Sequence, residues 1–276
     1  MNKNLISYIL FGSEPRYWSN VPYLLVTNSA IYQDFHMRFY VHKESTVIPC
    51  FNVLQEVSKI NLNVEIEIVE DSYVGTKLTT WRVKPLWEDD IDVLLCRDVD
   101  YAINLLERKS VEYFIRQSDC IVHGIRSYHL HTAPYMAGLC GFKVKEVAKM
   151  VKPKASTFYH FLNWGTNNVS YCADWRWGCD QALLRDFLNV AGLYPATMDC
   201  PQYTAPLKIY QFNAKTITPN LYDKISMRNC DGNALVFSNS IAPSFTGQPW
   251  SCDSNSLRTL CGMVNNATSD IVKKYI

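Results

Sequence analysis

Two aspartates separated by one residue follow an apolar run in the first half of the chain. The stretch "LLCRDVDY" at 94–101 places Asp98 and Asp100 directly after this run. Carboxylate oxygens are the hard ligands that Mg²⁺ and Mn²⁺ prefer, and a cation held by them neutralises a diphosphate. Ligands of open α/β sheets bind beyond the carboxyl ends of the strands, where these aspartates lie. The position therefore predicts a divalent metal ion at Asp98 and Asp100.

A second pair with the same spacing, Asp90 and Asp92, precedes the apolar run. Since two aspartates one residue apart arise readily by chance in a chain of this composition, the spacing alone decides nothing. We interpret Asp90 and Asp92 as the solvated start of the strand, because they lie at the edge of the sheet opposite to the predicted ligand site.

The elements that must position these aspartates alternate along the first hundred residues. Strand patterns occur at 5–11, 37–42, 64–69 and 91–96, and helical patterns occur between them at 15–33, 50–60 and 76–89. Pro15 is suited to the first turn of its helix, whereas Pro85 breaks the third one. This order, βαβαβαβ, predicts an α/β protein with a mainly parallel sheet covered by helices.

The pattern is less regular after the aspartates. We expect a helix at 104–117, a strand at 119–125, an extended segment at 135–144, a long loop at 152–178, a helix at 180–190 and short strands at 206–211 and 234–238. No linker divides the chain, so the sequence predicts a single domain.

Composition excludes several classes of protein. The 276 residues are 48% hydrophobic, and 27 basic and 26 acidic residues leave a net charge of +1, which predicts no broad surface for nucleic acid or an anionic membrane. The apolar stretch at 5–11 is as short as a strand, and no run approaches the roughly 18 apolar residues of a transmembrane helix. We expect a soluble, cytoplasmic protein without a signal peptide, in the host cytoplasm if a virus encodes it.

Ten cysteines are scattered without a Cys-x-x-Cys pair. A chain of this size does not need disulfides for stability, so free and mostly buried thiols in a reducing compartment are the expectation.

The motifs occur in a familiar order. The segments "ISYILFGSEPRYW", "MRFYVHKES", "TWRVKPLWEDDIDVLLCRDVDY", "HGIRSYHLHTAPYMAGLCGF" and "WGCDQALLRDF" together resemble the nucleotide-sugar-dependent glycosyltransferases of the GT-A fold, in particular small bacterial and viral ones. The resemblance spans 5–190. It implies a Rossmann-like mixed sheet flanked by helices, with an irregular C-terminal region. It further implies one catalytic domain over 1–276, with a nucleotide-binding half at 1–100 and an acceptor-binding half at 101–276.

The resemblance implies the metal-dependent transfer of a sugar from a nucleoside diphosphate sugar to a hydroxyl of a glycan or glycoconjugate. Asp98 and Asp100 correspond to the ligands of the Mn²⁺ or Mg²⁺ that bridges the diphosphate, with Asp100 the surer ligand. The positions that correspond to donor contacts are Phe11, Gly12, Tyr17, Arg82, Gly138 and Gly141. Asp180 corresponds to a catalytic acid that binds sugar hydroxyls or deprotonates the acceptor. Gln181 resembles an amide near the anomeric carbon of retaining enzymes, which mildly favours retention.

Several of these residues have structural alternatives. Phe11 is equally suited to core packing, Arg82 to a surface ion pair with Glu88 or Asp89, and Asp180 to the cap of a helix. Gly138 and Gly141 also fit a strand bulge. Arg97 lies between the strand predicted at 91–96 and Asp98. It is more suited to a structural role, because its side chain should point opposite to those of its immediate neighbours.

The chain departs from the resembling retaining enzymes near its C-terminus. "SFTGQPW" has Ser244 and Gln248 where those enzymes have a metal-binding histidine and a lysine, and no histidine follows His160. An aspartate (Asp231 or Asp253), a hydroxyl or water would complete the metal shell. The missing histidine and lysine leave open a catalytically silent carbohydrate- or nucleotide-binding protein on the same fold. A nucleotidyltransferase is the other alternative, because it shares the metal, the nucleotide and the sheet architecture, although no Gly-rich, basic phosphate loop follows the first strand. Tyr128 and His129 are further candidate sugar contacts.

Overall fold

The computed structural model describes residues 3–193 except 19, 73–74, 101–102, 104, 117, 119–120 and 125–134. The strands of this part of the chain are β1 Lys3–Leu10, β2 Phe35–His42, β3 Val64–Val69, β4 Ile91–Arg97, β5 Val122–Gly124 and β6 Leu139–Lys143. The α-helices are α1 Pro15–Trp18, α2 Val21–Ile31, α3 Pro49–Ile60, α4 Leu105–Arg116, α5 Val144–Val151, α6 Phe158–Asn168 and α7 Cys179–Val190. Three 3₁₀ segments span Lys43–Val47, Lys77–Trp87 and Ser170–Cys172.

The six strands form one mixed sheet in the order β3-β2-β1-β4-β6-β5. The early strands pair in parallel, β1 with β4 and β2 with β3, as the alternation of strands and helices requires. β6 is antiparallel to both β4 and β5. The predicted α/β class, a mixed sheet flanked by helices, is therefore confirmed.

The chain forms two compact units. Of the described residues, the first unit holds those within Met1–Ile9, Glu70–Arg97 and Ser110–Asn213, and the second holds those within Leu10–Val69, Asp98–Lys109 and Ala214–Ile276. The first unit therefore contains β1, β4, β5 and β6 with α5 to α7. The second contains β2 and β3 with α1 to α3.

An aromatic cluster fills the core of the first unit. Phe161 is 1% exposed, and its ring centroid lies 4.9 Å from that of Phe187 and 5.1 Å from that of Trp87. Phe158 packs edge-on against Trp81 at 5.2 Å. Aromatic pairs at these distances contribute beyond the area that they bury. The cluster joins α6 to the Lys77–Trp87 segment and to α7, and the last two carry candidate site residues.

The predicted loop at 152–178 was wrong, because α6 lies within it. The Thr157 side chain accepts a hydrogen bond from the backbone N–H of His160 at 3.1 Å, which caps the helix. Phe158, Phe161, Leu162 and Gly165 then place their buried faces on one side at helical spacing. The many aromatic residues of this segment are core residues of a helix rather than loop residues.

Other boundaries also differ from expectation. The helix predicted at 15–33 is divided into α1 and α2, and Pro22 lies at the start of the second, where its missing N–H costs nothing. The segment at 77–87 is 3₁₀ and contains Pro85, and α5 was not predicted at all. The predicted strands at 206–211 and 234–238 lie outside the described residues. Five of the described cysteines are free, as expected: Cys50, Cys96, Cys140, Cys172 and Cys179.

Among the described helices, none has both the length and the apolar character needed to cross a membrane.

His123 makes the stability of the fold sensitive to pH. Its ring is fully buried in β5 and stacks on Phe114 at 5.0 Å. Burial lowers the pKa of His123 well below its usual value, and the charge of Arg97 lowers it further. The unfolded chain takes up a proton at this histidine below about pH 6.5, whereas the folded chain does not. Stability is therefore expected to fall with pH below that point, by up to about 1.4 kcal/mol per pH unit.

Urea unfolding between about pH 7.5 and 5 measures this slope. A His123→Leu variant should lose the part of the slope due to this residue, whereas His160→Gln, which changes an exposed histidine of α6, should keep it. Parallel stability curves for wild type and His123→Leu would contradict the assignment.

Candidate functional site

The end of β4 carries the two predicted metal ligands. Asp100 is buried, with 5% of its surface exposed, and Asp98 is half-buried. The other pair behaves as a solvated strand start: Asp92 is bonded to Lys145 at 2.8 Å, and Asp90, 61% exposed at its side chain, lies 3.7 Å from Lys3. Burial thus separates two pairs that are identical in spacing.

The two carboxylates after β4 fit a divalent cation by their donor chemistry. They offer hard oxygen atoms from residues two positions apart, and Mg²⁺ in particular takes one or two carboxylates together with substrate phosphates and water. Within the described ranges no group of three or more histidine, cysteine, aspartate or glutamate side chains could hold a metal ion. The residues considered for the C-terminal part of the shell lie outside the described part of the chain: Asp231, Ser244, Gln248 and Asp253.

The turn after β1 contains Gly12 in a left-handed conformation, with φ of 67°. Its carbonyl accepts hydrogen bonds from the Trp18 indole at 3.0 Å and from the Ser45 hydroxyl at 3.2 Å. Among the described residues, no atom lies within 4 Å of the place that a Cβ would take. The turn is thus held firmly on its carbonyl side and is open where a side chain would stand.

Phe11 and Tyr17, the other residues predicted at this turn, are half-buried. Trp18 and Ser45 were not assigned from the sequence. Trp18 belongs to the "EPRYW" segment of the motif, but nothing in its spacing identifies the carbonyl that it binds. These residues and the aspartates after β4 all belong to the second unit.

In the first unit, Arg82 and Asp180 form a buried ion pair. Arg82 Nη2 donates to Asp180 Oδ2 at 3.1 Å, and the two side chains are 5% and 13% exposed. Arg82 Nε also donates to the Thr79 carbonyl at 2.8 Å, which fixes the guanidinium within its 3₁₀ segment. The structure thus brings together two residues that the sequence assigned separately to the donor and to catalysis.

The sequence left a structural alternative for each residue: a surface ion pair for Arg82 and a helix cap for Asp180. Arg82 is buried rather than exposed at the surface, and Asp89 is bonded to Lys152 at 2.6 Å. The hydrogen bond from Lys152 lowers the pKa of Asp89. Asp180 Oδ1 accepts from the backbone N–H of Gln181 at 2.9 Å, so one of its oxygens does satisfy the first turn of α7. One oxygen of the carboxylate therefore accepts a hydrogen bond within α7, and the other accepts one from Arg82.

The loop before α7 is fastened by Thr76. The backbone N–H of Thr76 donates to the Trp175 carbonyl at 2.8 Å, and its hydroxyl donates to the Arg176 carbonyl at 2.8 Å. A Cβ on Gly75 would lie 2.3 Å from the same Trp175 carbonyl, so only glycine allows this approach. No motif or spacing indicates this contact, because it joins residues about a hundred positions apart.

Two buried thiols lie at the start of α7. The Cys172 thiol donates toward Cys179, which raises the pKa of Cys172 and lowers the pKa of Cys179. The sulfur of Cys179 also lies 3.2 Å from the Thr76 hydroxyl. Thr76 thus contacts both the loop and the first residue of the helix that carries Asp180 and Gln181.

The remaining predicted positions lie along β6. Gly138 is buried in the turn before the strand, and Gly141 pairs with Leu95 of β4. A Cβ on Gly141 would lie 2.8 Å from the Leu95 side chain, so packing within the sheet by itself favours glycine here. Arg97 is fully buried and donates to the carbonyls of Cys96 and Cys140 at 2.8 Å each, the structural role that its position favoured. Tyr128 and His129 lie outside the described residues.

Comparisons with known proteins find similarity in structure only. Neither a protein-family model nor a curated protein matches the sequence. The chain is similar to the glycosyltransferase GlyE of Streptococcus pneumoniae TIGR4, with a TM-score of 0.45 and 12% identity over 72% of this chain and 46% of that one.

Two further solved structures show comparable similarity. One is S. aureus TarS, with a TM-score of 0.44 and 13% identity over 68% of this chain and 56% of that one. The other is the mannosyltransferase PcManGT of Pyrobaculum calidifontis in complex with GDP-Man and Mn²⁺, with a TM-score of 0.39 and 7% identity over 54% and 46%. The chain spans about half the length of the solved structures that it matches.

Proposed function

We propose that this chain is a GT-A-type, metal-dependent glycosyltransferase, which moves a sugar from a nucleoside diphosphate sugar to a hydroxyl of a glycan or glycoconjugate. The observation that carries the proposal is the burial of Asp100, next to the half-buried Asp98, directly beyond the carboxyl end of β4. Two carboxylates held at this edge of the sheet offer the hard oxygen atoms that Mg²⁺ and Mn²⁺ prefer. The order of motifs that surrounds it supports the same class.

Asp98 and Asp100 would hold Mn²⁺ or Mg²⁺ together with the donor diphosphate. A cation bound there would supply Lewis-acid stabilisation of the negative charge on the leaving diphosphate. The proposal gives the protein little covalent chemistry, since its residues bind the donor and fix its position.

Gly12 is suited to the donor side of the reaction. Its open face and positive φ allow a ligand to approach the backbone closely, and the bonds from Trp18 and Ser45 to its carbonyl keep the turn in place. Phe11 and Tyr17 flank this turn, and in the proposal an aromatic ring there stacks on the nucleotide base.

The ion pair with Arg82 favours one of the two roles considered for Asp180. A guanidinium that donates to one oxygen fixes the orientation of the carboxylate, which suits it to accept hydrogen bonds from sugar hydroxyls. We therefore propose that Asp180 binds the sugar and that Arg82 orients Asp180. Gln181, one residue on in the first turn of α7, would present its amide to the donor sugar, which favours retention of configuration.

A panel of UDP- and GDP-sugars incubated with Mn²⁺ tests the function. We expect the release of free nucleoside diphosphate from at least one donor, and its loss when EDTA removes the metal. Formation of pyrophosphate from a nucleoside triphosphate and a sugar phosphate would instead identify a nucleotidyltransferase. Metal-dependent nucleotide binding without turnover of any donor would identify a silent binding protein, and neither binding nor hydrolysis would refute the proposal.

A further inference from the structure

The side chain of Trp177 is 84% exposed and lies three residues before Asp180. Tryptophan is highly buried on average, so an indole ring in solvent at this position needs an explanation. Three residues of chain span at most about 11 Å, which keeps the backbone of Trp177 close to that of Asp180.

The exposure of Trp177 is not the result of a loose loop. Hydrogen bonds from Thr76 hold the carbonyls of the two residues before it, Trp175 and Arg176. The Arg176 N–H donates to the Tyr171 carbonyl at 3.0 Å, and the Arg176 carbonyl accepts from the Cys179 N–H at 3.0 Å. The backbone on both sides of the ring is therefore fixed.

The loop also contains a strained residue. Trp175 has φ of 51°, which is unfavourable for a bulky aromatic residue, and it is 6% exposed. Such strain costs about 1–3 kcal/mol and persists where the surrounding structure imposes it, often at ligand sites. The ring of the strained Trp175 is therefore buried, whereas the ring of Trp177, two residues later, is in solvent.

Several residues that flank Trp177 along the chain are polar. Exposed Asp174 and Arg176 are bonded to each other at 2.8 Å, and the Arg176 guanidinium lies over the ring of Tyr171 at 5.6 Å. Half-buried Asp180 and Gln181 follow the loop. A protein interface centred on a tryptophan would place it in a contiguous apolar patch. An aromatic face beside charged and amide groups instead matches a pyranose ring, which has an apolar C–H face and a rim of hydroxyls.

We propose that Trp177 is a carbohydrate-binding residue that stacks on a sugar ring of the acceptor. Calling this sugar the acceptor rests on the proposed function, but the existence of a carbohydrate site at Trp177 does not. Binding here needs no nucleotide and no metal ion. The hydroxyls of the stacked ring would be within reach of the polar groups that flank the loop.

Calorimetric titration of the full chain with soluble gluco-, manno-, galacto- and N-acetylglucosamine oligosaccharides tests the site. We expect at least one of them to bind the wild-type chain without nucleotide. Trp177→Ala should weaken that binding by about tenfold or more, and Trp177→Phe should keep most of it, since a good aromatic contact contributes about 1 kcal/mol or more. Leu62→Ala, which removes an apolar side chain that is 88% exposed, is the matched control and should bind like wild type.

The result separates this site from the proposed function. Sugar binding that depends on Trp177, in a chain that turns over no nucleotide sugar, would refute the transferase and keep the site. Sugar transfer with the same acceptor KM in wild type and Trp177→Ala would refute the site and keep the transferase. The site is also refuted if no oligosaccharide binds the wild-type chain, or if Trp177→Ala changes only its self-association.

Discussion

Replacement of Asp100 by asparagine is expected to lower the Mn²⁺-dependent affinity of the chain for UDP or GDP by more than about 100-fold. Asparagine keeps the size of the side chain but removes the charge and one of the two hard oxygen donors. Loss of a residue that merely supports a metal ligand already costs 10–100-fold. Since Asp100 is the more buried member of the pair, its replacement should have a larger effect than that of Asp98.

Calorimetric titration of UDP with and without Mn²⁺ measures this loss. Asp92→Asn is the matched control, because it makes the same chemical change near the start of β4, whereas Asp100 lies after the end of the strand. Asp92 is bonded to Lys145 there. It should bind UDP like wild type. The circular dichroism spectrum and the urea midpoint of Asp100→Asn should stay close to those of wild type, which shows that the variant folds. Unchanged Mn²⁺-dependent affinity in a folded Asp100→Asn would refute the metal site.

The sequence predicted the position of Asp98 and Asp100 because the local pattern of apolar and polar residues determines where the strand before them ends. A short apolar run that ends in polar residues forms a buried strand, and the order of elements places its carboxyl end at the ligand edge of the sheet. Spacing alone could not separate Asp98 and Asp100 from Asp90 and Asp92. Burial does separate them, and burial depends on the rest of the fold.

Gly12 and Gly141 show that the sequence alone does not reveal why a glycine occurs at a given position. Both were assigned to the approach of a donor. Gly12 has a positive φ and open space at its missing Cβ, whereas the missing Cβ of Gly141 is explained by the Leu95 side chain. The residue type predicts that something comes close, but only the fold shows whether that is a ligand site or a neighbouring strand.

Contacts between distant residues were beyond reach of the sequence. Thr76 binds the Trp175–Arg176 backbone and Arg82 binds Asp180, in both cases across roughly a hundred residues. Neither leaves a periodic signal. The helix α6 was missed for a different reason: its buried residues do have helical spacing, but the many aromatic, Asn and Gly residues of the segment are typical of a loop.

The second large effect is expected at the ion pair of Arg82 and Asp180. Removing one member of a buried pair leaves a charge without its partner, which typically costs about 3–5 kcal/mol. We therefore expect Arg82→Met and Asp180→Leu to lower the free energy of unfolding by amounts of this order. The double variant replaces the pair by apolar side chains of similar size, which is often neutral, so it should recover most of the loss.

This cycle separates a structural role from a functional one. Urea unfolding gives the coupling energy of the pair, and donor turnover of the same proteins gives its effect on activity. If Asp180 binds the sugar and Arg82 orients it, the double variant should be about as stable as wild type and still have lost transfer activity. A double variant that regains both stability and transfer would show that the pair only holds α7 against the Lys77–Trp87 segment. Restored stability without activity is the result that places Asp180 at the sugar, because a purely structural pair has no reason to matter once the fold is repaired.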